Sequence, residues 1–187
     1  TNPVAANSKS DLTNRFQESE NITIYGNVGT VSVDINGGAT AKEAAAAINA
    51  VQGATGVYAT AQTRMNVSFA DQASATNDTV MFNLYGKNDS AVQIAANVAF
   101  GVTNGRSTDL STLAGAINGT SGKTGVTATL DVTKSKMTLL SNEGYDIVLE
   151  DYQLINLANP NMTVSGADRD LADAGHSFDI VENLDPN

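Results

Sequence analysis

The chain contains the same segment twice, 69 positions apart, and this duplication limits the folds that it can adopt. Residues 40–61 (TAKEAAAAINAVQGATGVYATA) and residues 109–130 (DLSTLAGAINGTSGKTGVTATL) align without a gap and are identical at 10 of 22 positions. Each copy has the pattern of a short helix that ends in a glycine-containing turn and leads into a strand. A repeat of this kind indicates that one supersecondary unit is used twice.

Helix start and stop signals flank the first copy. Thr40 stands at the N-cap position, and Glu43, three residues later, completes a capping box. Gly53 stands where a left-handed residue would end the helix. Apolar residues at i, i+3, i+4 and i+7 predict one buried stripe in each helix, formed by Ala41, Ala44, Ala45 and Ile48 in the first and by Leu110, Leu113, Ala114 and Ile117 in the second.

Alternating apolar residues predict strands on both sides of each helix. In the first copy, residues 57–61 and 65–69 predict a hairpin after the helix. The second copy predicts the same hairpin with a turn three residues longer, which a surface loop tolerates. Further strands are predicted at residues 22–35, 80–84, 92–100 and 177–182.

These elements predict a strand-rich α+β fold of two tandem β-α-β-β units, each with one short helix packed on a small, mostly antiparallel sheet. We expect residues 1–20 to be a linker or lead-in, residues 21–76 the first unit, residues 77–165 the second unit, and residues 166–187 an acidic return segment with a final strand. That strand is expected beside residues 22–25, because an inserted domain brings its two ends together. The opening residues, TNPVAAN, are typical of an internal stretch, so we expect the chain to be a piece of a longer polypeptide.

The charge balance argues against several classes of partner. Twenty acidic and ten basic residues give a net charge of -10. Nucleic-acid backbones and anionic membrane surfaces both attract clustered Lys and Arg, so neither is an expected partner. No apolar run approaches the roughly 18 residues that a membrane helix needs. The absence of cysteine excludes disulfides, thiolate nucleophiles and cysteine metal ligands.

Short patterns inside the repeat point to a known family. AAAIN followed by TGVxAT occupies residues 45–60, and it recurs at residues 114–129 with Gly115 interrupting it. A methionine-led strand follows each copy, and SNEGYDI comes after the second at residues 141–147. These patterns cover about half of the chain, and they resemble the flagellin IN motif found in the variable outer regions of bacterial flagellins.

The resemblance implies a structural role and no chemistry. It implies the surface-exposed, hypervariable outer domain of a flagellin subunit, located outside the cell on the bacterial flagellum and serving motility. Its implied partners are other flagellin subunits, bound through terminal helices that this sequence does not contain, so we expect the chain by itself to be monomeric. Antibodies and surface glycans are further possible partners. The family offers no catalytic, cofactor-binding or metal-binding residue to transfer.

Two alternatives stay open at this stage. The filament-capping protein and some hook-associated proteins share the same motif, and their outer domains would have the same sequence features. A glycan- or mucin-binding adhesin module is the other alternative, and it would need an aromatic platform. The candidates for such a platform are scattered along the sequence, at Tyr25, Tyr58, Tyr85, Tyr145 and Tyr152.

Three features superficially resemble sites. His176 is the only histidine, in a polar, glycine-containing stretch without a GxSxG nucleophile motif, and we interpret it as a solvated loop residue. Asp168, Asp170 and Asp173 precede Gly175 as in a calcium loop, but Ala172 takes a ligand position and the distant glutamate is missing. Residues 121–124 (SGKT) resemble the end of a phosphate loop, yet they lead into a predicted strand. We therefore predict no catalytic residue, no cofactor and no metal.

Overall fold

A computed structural model describes residues 19–72, 76–102, 105, 107–156, 161–167 and 173–180 of the chain. These residues form short helices and mostly antiparallel strands, which confirms the α+β prediction. The elements are β1 (Glu20–Tyr25), β2 (Thr30–Ile35), α1 (Ala41–Ala50), α2 (Gln52–Thr55), β3 (Thr63–Phe69), β4 (Thr76–Tyr85), β5 (Val92–Phe100), α3 (Ser111–Gly119), α4 (Ser121–Thr124), β6 (Val126–Leu130), β7 (Lys136–Ser141), β8 (Val148–Leu154), β9 (Met162–Ala167) and β10 (Asp173–Ile180).

The strands form three sheets that do not follow the repeat. β1 and β2 make a two-stranded sheet, and β5-β4-β8 make a three-stranded sheet. The largest sheet has the order β10-β9-β3-β7-β6. It therefore joins β3, from the first copy, to β6 and β7 from the second.

One hydrophobic core unites the two larger sheets. Its side chains come from β3 to β9 and from α3, which lies against β5 and β6. The ring of Phe69 in β3 meets Phe100 in β5 edge to face at 5.6 Å between centroids, and it lies 6.2 Å from Tyr152 in β8. Val33 and Ile35 are also buried, but they lie outside this core, on the strand that α1 contacts.

The two helices of the repeat differ in burial. The stripe predicted for the second helix is confirmed, since Leu110, Leu113, Ala114 and Ile117 are all buried. The stripe predicted for α1 is only half-buried, and no α1 residue is fully buried. The reason is that α3 packs against both β5 and β6, whereas among the described strands α1 packs mainly on β2.

The predicted hairpin of residues 57–61 and 65–69 is wrong. Residues 57–61 form no strand, and β3 pairs with β7 on one edge and with β9 on the other. In the second copy a turn closed by Asp131 does reverse the chain, with its N–H donating to Lys136 O at 3.0 Å and its carboxylate accepting from Lys136 N–H at 3.1 Å. The shorter first copy lacks this turn, and β9 fills the edge of β3 that the missing strand would occupy.

Two further predictions need correction. Gly53 does not end the first helix, because it lies inside α2, and the left-handed residue that follows is Gly56, with φ 74°. The last strand starts earlier than predicted, at Asp173, and pairs with β9. It lies in a different sheet from β1, so the expected neighbourhood of the two is wrong.

The difference in helix burial predicts unequal effects of one substitution. Ile117→Ala should lower the free energy of unfolding by about 2–5 kcal/mol, because it opens a cavity at a fully buried site. Ile48→Ala, at the equivalent but half-buried position, should cost less than half as much. Urea unfolding followed by circular dichroism measures both, and equal losses would contradict the packing described for α1.

Candidate functional site

The asparagine near the end of each repeat helix makes the same two hydrogen bonds. Asn118 Oδ1 accepts from Ala128 N–H at 2.8 Å, and its Nδ2 donates to Ala128 O at 2.9 Å. Asn49 makes the same pair with Ala59, at 2.8 and 2.9 Å. We call this arrangement the asparagine bracket. Because one amide satisfies both backbone groups of one residue, it takes the place that a neighbouring strand would take.

A buried threonine and a glycine follow each bracket asparagine. The hydroxyl of Thr124 donates to the carbonyl four residues earlier and accepts from the N–H two residues later, both at 3.2 Å. Thr55 makes the same two bonds, at 3.0 and 3.2 Å. Gly56 and Gly125 come next, with φ 74° and 68°, a left-handed conformation that glycine adopts without strain. The second copy therefore repeats the first bond by bond.

A hairpin tip docks on each threonine, which extends the repeat upstream. Val28 N–H donates to Thr55 O at 3.3 Å, and Lys87 N–H donates to Thr124 O at 2.8 Å. The approach requires glycine in each tip, because an added Cβ would lie 1.8 and 2.2 Å from these carbonyl oxygens. The repeat of residues 40–61 and 109–130 does not predict this contact, although the two tips share a signal, the dipeptides Tyr25-Gly26 and Tyr85-Gly86.

The two copies meet about a local twofold axis. Met65 and Met137 are equivalent strand residues, so Asn66 corresponds to Thr138, and these two equivalent residues pair with each other across β3 and β7. Thr138 Oγ1 donates to Asn66 Oδ1 at 2.7 Å, at a site where Asn66 is buried. The centre of the five-stranded sheet is therefore a contact between the two repeats.

A second contact joins α1 to the SNEGYDI segment. Lys42 N–H donates to Gly144 O at 3.0 Å, and its ammonium donates to Glu143 Oε2 at 3.0 Å and to the Tyr145 hydroxyl at 2.6 Å. The hydrogen bond to Tyr145 and then that to Glu143 raise the pKa of Lys42. The same ammonium lowers the pKa of the Glu143 carboxyl.

The residues that superficially resembled sites do not form one among those that the structure describes. His176 lies in β10, so its prediction as a loop residue is wrong; Gly175 is in the same strand and Asp173 is its first residue. Asp168 and Asp170 lie outside the described residues. Residues 121–124 form α4 and lead into β6, as predicted for a segment that is not a phosphate loop.

Nor do the described parts of the chain contain another built centre. They hold no cluster of three or more His, Cys, Asp or Glu side chains that could bind a metal ion. In the same ranges no helix is both long and apolar enough to cross a membrane. A surface groove of about 340 Å³ lies between β2 and α1, but the Glu43 carboxylate in it is bonded to Thr40 N–H at 2.8 Å and serves as the capping box of α1.

A known family matches the chain in two stretches, one for each copy of the repeat. The family model of the flagellin hook IN motif matches residues 21–70 and 79–143. The chain belongs to this flagellin IN-motif family. The first matched stretch spans β1 to β3, and the second runs from β4 to the end of β7 and into the SNEGYDI segment. No curated protein matches the chain significantly.

Membership in this family gives a coarse function. The chain is a flagellin-related structural protein of a filament, and its family is structural and not enzymatic. The family implies polymerisation with other flagellin subunits in the bacterial flagellum, an extracellular appendage. The hydrogen bonds above explain the family motif physically, because its asparagine, threonine and glycines all serve one helix-to-strand connection.

The asparagine bracket should make a measurable contribution to the free energy of unfolding. Asn118→Ala should lower the free energy of unfolding by about 1–2 kcal/mol, because it leaves both backbone groups of buried Ala128 without the amide. Asn97→Ala, on the exposed face of β5, is the matched control and should change stability by less than about 0.5 kcal/mol. Urea unfolding of the three proteins measures this, and equal stability of the two variants would contradict the role of the bracket.

The Lys42 contact predicts a shift in titration. Lys42→Met should raise the pKa of Glu143 toward its ordinary value, whereas Lys123→Met, at an exposed α4 position, should not. NMR titration of the Glu143 carboxyl carbon measures both. Because the folded pKa lies below the unfolded one, this pair stabilises the fold above the unfolded pKa, and its contribution is lost as the pH falls through the folded pKa. A Glu143 pKa that is unchanged by Lys42→Met would contradict the contact.

Proposed function

We propose that the chain is the outer, hypervariable domain of a flagellin subunit, exposed on the surface of the bacterial flagellar filament and serving motility. The observation that carries the proposal is the matched pair of IN-motif units, whose distinctive polar residues form internal hydrogen bonds. Side chains used in this way stabilise a scaffold, and they are not free to act on a substrate. We infer that the domain has no enzymatic activity.

The charge of the chain supports a position on a crowded surface. A net charge of -10 on each copy makes the surfaces of two filaments repel each other, which keeps a densely decorated filament from adhering to others. We propose that the outer domain sets these surface properties. Other flagellin subunits contact the longer protein through terminal helices, and the domain by itself is monomeric in dilute solution. Nucleic acid and membrane are not partners, whereas antibodies and surface glycans can reach the exposed side.

We propose the domain division predicted from the sequence. Residues 1–20 lead in, residues 21–76 and 77–165 are the two units, and residues 166–187 return the chain to its parent. The shared sheet supports two units that fold together and do not separate, because β3 of the first lies between β7 and β9.

A glycan-binding role is the second candidate, and one observation favours it. Tyr25 and Tyr58 are 80% and 66% exposed, and in sequence they flank the contact between Gly26 and Thr55. Exposed tyrosines offer an apolar face on which sugar rings can pack. Binding to a glycan array by the parent chain and loss of that binding in Tyr25→Ala and Tyr58→Ala would support this candidate.

The position on the filament can be tested with single cysteines, because the chain has none. The chain would be placed between the terminal segments of a polymerising flagellin, with Val132→Cys at a fully exposed turn or Met137→Cys in the core as the control. We expect filaments whose whole length reacts with a maleimide dye in the first variant and not in the second. A chimera that forms no filaments, or filaments in which Val132→Cys reacts no more than Met137→Cys, would contradict the proposal.

A further inference from the structure

In the part of the chain that the structure describes, the second unit contains a strand without a counterpart in the first unit. In the second, β8 pairs with the outer edge of β4, with Leu84 opposite Leu149 and Tyr85 opposite Val148. The equivalent hairpin of the first unit consists of β1 and β2 alone among the residues that the structure describes. A two-stranded sheet is marginal by itself, and an uncovered edge can accept another strand.

The exposure of equivalent residues shows the effect of the missing strand. Tyr25 is 80% exposed, whereas its counterpart Tyr85, beside β8, is half-buried. Ile22 and Ile24 are also only half-buried, although they lie on the face of β1 that carries its apolar residues. The first unit therefore has an apolar strand edge at the position where the second unit has a seated strand.

The hairpin bonds determine which backbone groups point outward from β1. Gly26 N–H donates to Gly29 O at 2.9 Å, so the pair next to it in the ladder, Tyr25 and Thr30, is of the non-hydrogen-bonded kind. By the alternation of an antiparallel ladder, the N–H and C=O groups of Tyr25, Thr23 and Asn21 point away from β2. The backbone groups of these three alternate residues can thus form hydrogen bonds with a further strand.

We propose that this edge binds β1 of a second copy of the chain, antiparallel and centred on Thr23. In this register Thr23 lies opposite Thr23 of the partner, and each Asn21 lies opposite the other Tyr25, so all outward backbone groups are paired. Ile22 then lies opposite Ile24, which extends the apolar face across four strands. Glu20, which is the charged residue of β1, faces no like charge.

Within the described residues, another strand edge is blocked by a side chain and this one is not. The backbone of Ala128 on the outer side of β6 is bonded by the asparagine bracket, which excludes a further strand there. In β1 the side chain of Asn21 instead donates to Asp34 Oδ1 at 2.6 Å, on β2, so it does not block the outer edge of its own strand. The outward backbone groups of β1 are therefore available to a further strand in a way that those of Ala128 are not.

The size of the contact limits its strength. A six-residue strand pair buries less than the roughly 1,000 Å² of a stable interface, so the free chain should dimerise only weakly. If copies are held side by side at an effective concentration on the order of mM, a much larger fraction of them would be paired. The inference depends on the proposed function only for this local concentration, and the contact would link outer domains of neighbouring subunits along a filament.

Cysteine crosslinking in solution tests the contact without any filament. In the proposed register the two Thr23 Cα atoms are about 5.5 Å apart, within the range that a disulfide spans. Thr30→Cys, a matched exposed threonine on β2, would lie about three strand spacings across the sheet and about four residues along the strands from its mate, or about 19 Å away. We expect the disulfide dimer of Thr23→Cys to form at least tenfold faster than that of Thr30→Cys under mild oxidation. Equal rates would overturn the proposal.

Amide exchange distinguishes a second copy from cover by the same chain. Exchange at Asn21, Thr23 and Tyr25 should slow severalfold when the wild-type protein is concentrated, and Thr23→Lys should abolish this by placing two like charges opposite each other. Protection that is independent of concentration would overturn the proposal in favour of an occupant from the same chain. Because both assays use the isolated chain, a negative result leaves the filament-labelling test of the outer-domain role unaffected.

Discussion

The asparagine bracket is the interaction on which the rest of the structure depends. A helix that ends against a strand leaves unpaired groups on both elements, namely the carbonyls of its last turn and the outer backbone of the strand. One asparagine amide satisfies both groups of Ala128, and the threonine and glycine that follow satisfy the helix end. The same set of bonds at Asn49 works without a regular strand. The connection is therefore a self-contained unit, which explains why it can be duplicated.

Local signals of the sequence predicted the local parts of the fold well. The capping box at Thr40 and the buried stripe of α3 are confirmed, because a cap and an amphipathic face depend only on residues a few positions apart. The prediction of a strand at residues 57–61 was wrong although apolar and polar residues do alternate there. Its expected partner, β3, pairs with β9 on the edge that this strand would have used. Whether β3 pairs with a hairpin neighbour or with β9 is decided by a competition between distant segments, and no window of sequence contains both.

The contacts between units were the part of the candidate site that sequence could not provide. Nothing local marks Asn66 and Thr138 as partners, because their pairing follows from the twofold relation of two strands. Lys42 and Tyr145 likewise meet only after both units have folded. Docking of the hairpin tips could have been predicted from the sequence, since the dipeptide Tyr-Gly occurs at both tips and extends the repeat upstream of the helix. Stop signals were ambiguous because Gly53 and Gly56 both follow the helix, and only the second has a positive φ.

The position of β9 determines the order in which the fold can be completed. It pairs with β3 across the whole length of the second unit, so the ends of a long loop must meet before any bond of that ladder forms. In a polypeptide delivered from its N-terminal end, β3 therefore has no neighbour on this edge until β9 arrives. Closure of the large sheet is then a late, cooperative event. A chain that stops before β9 would leave one edge of β3 without a neighbouring strand.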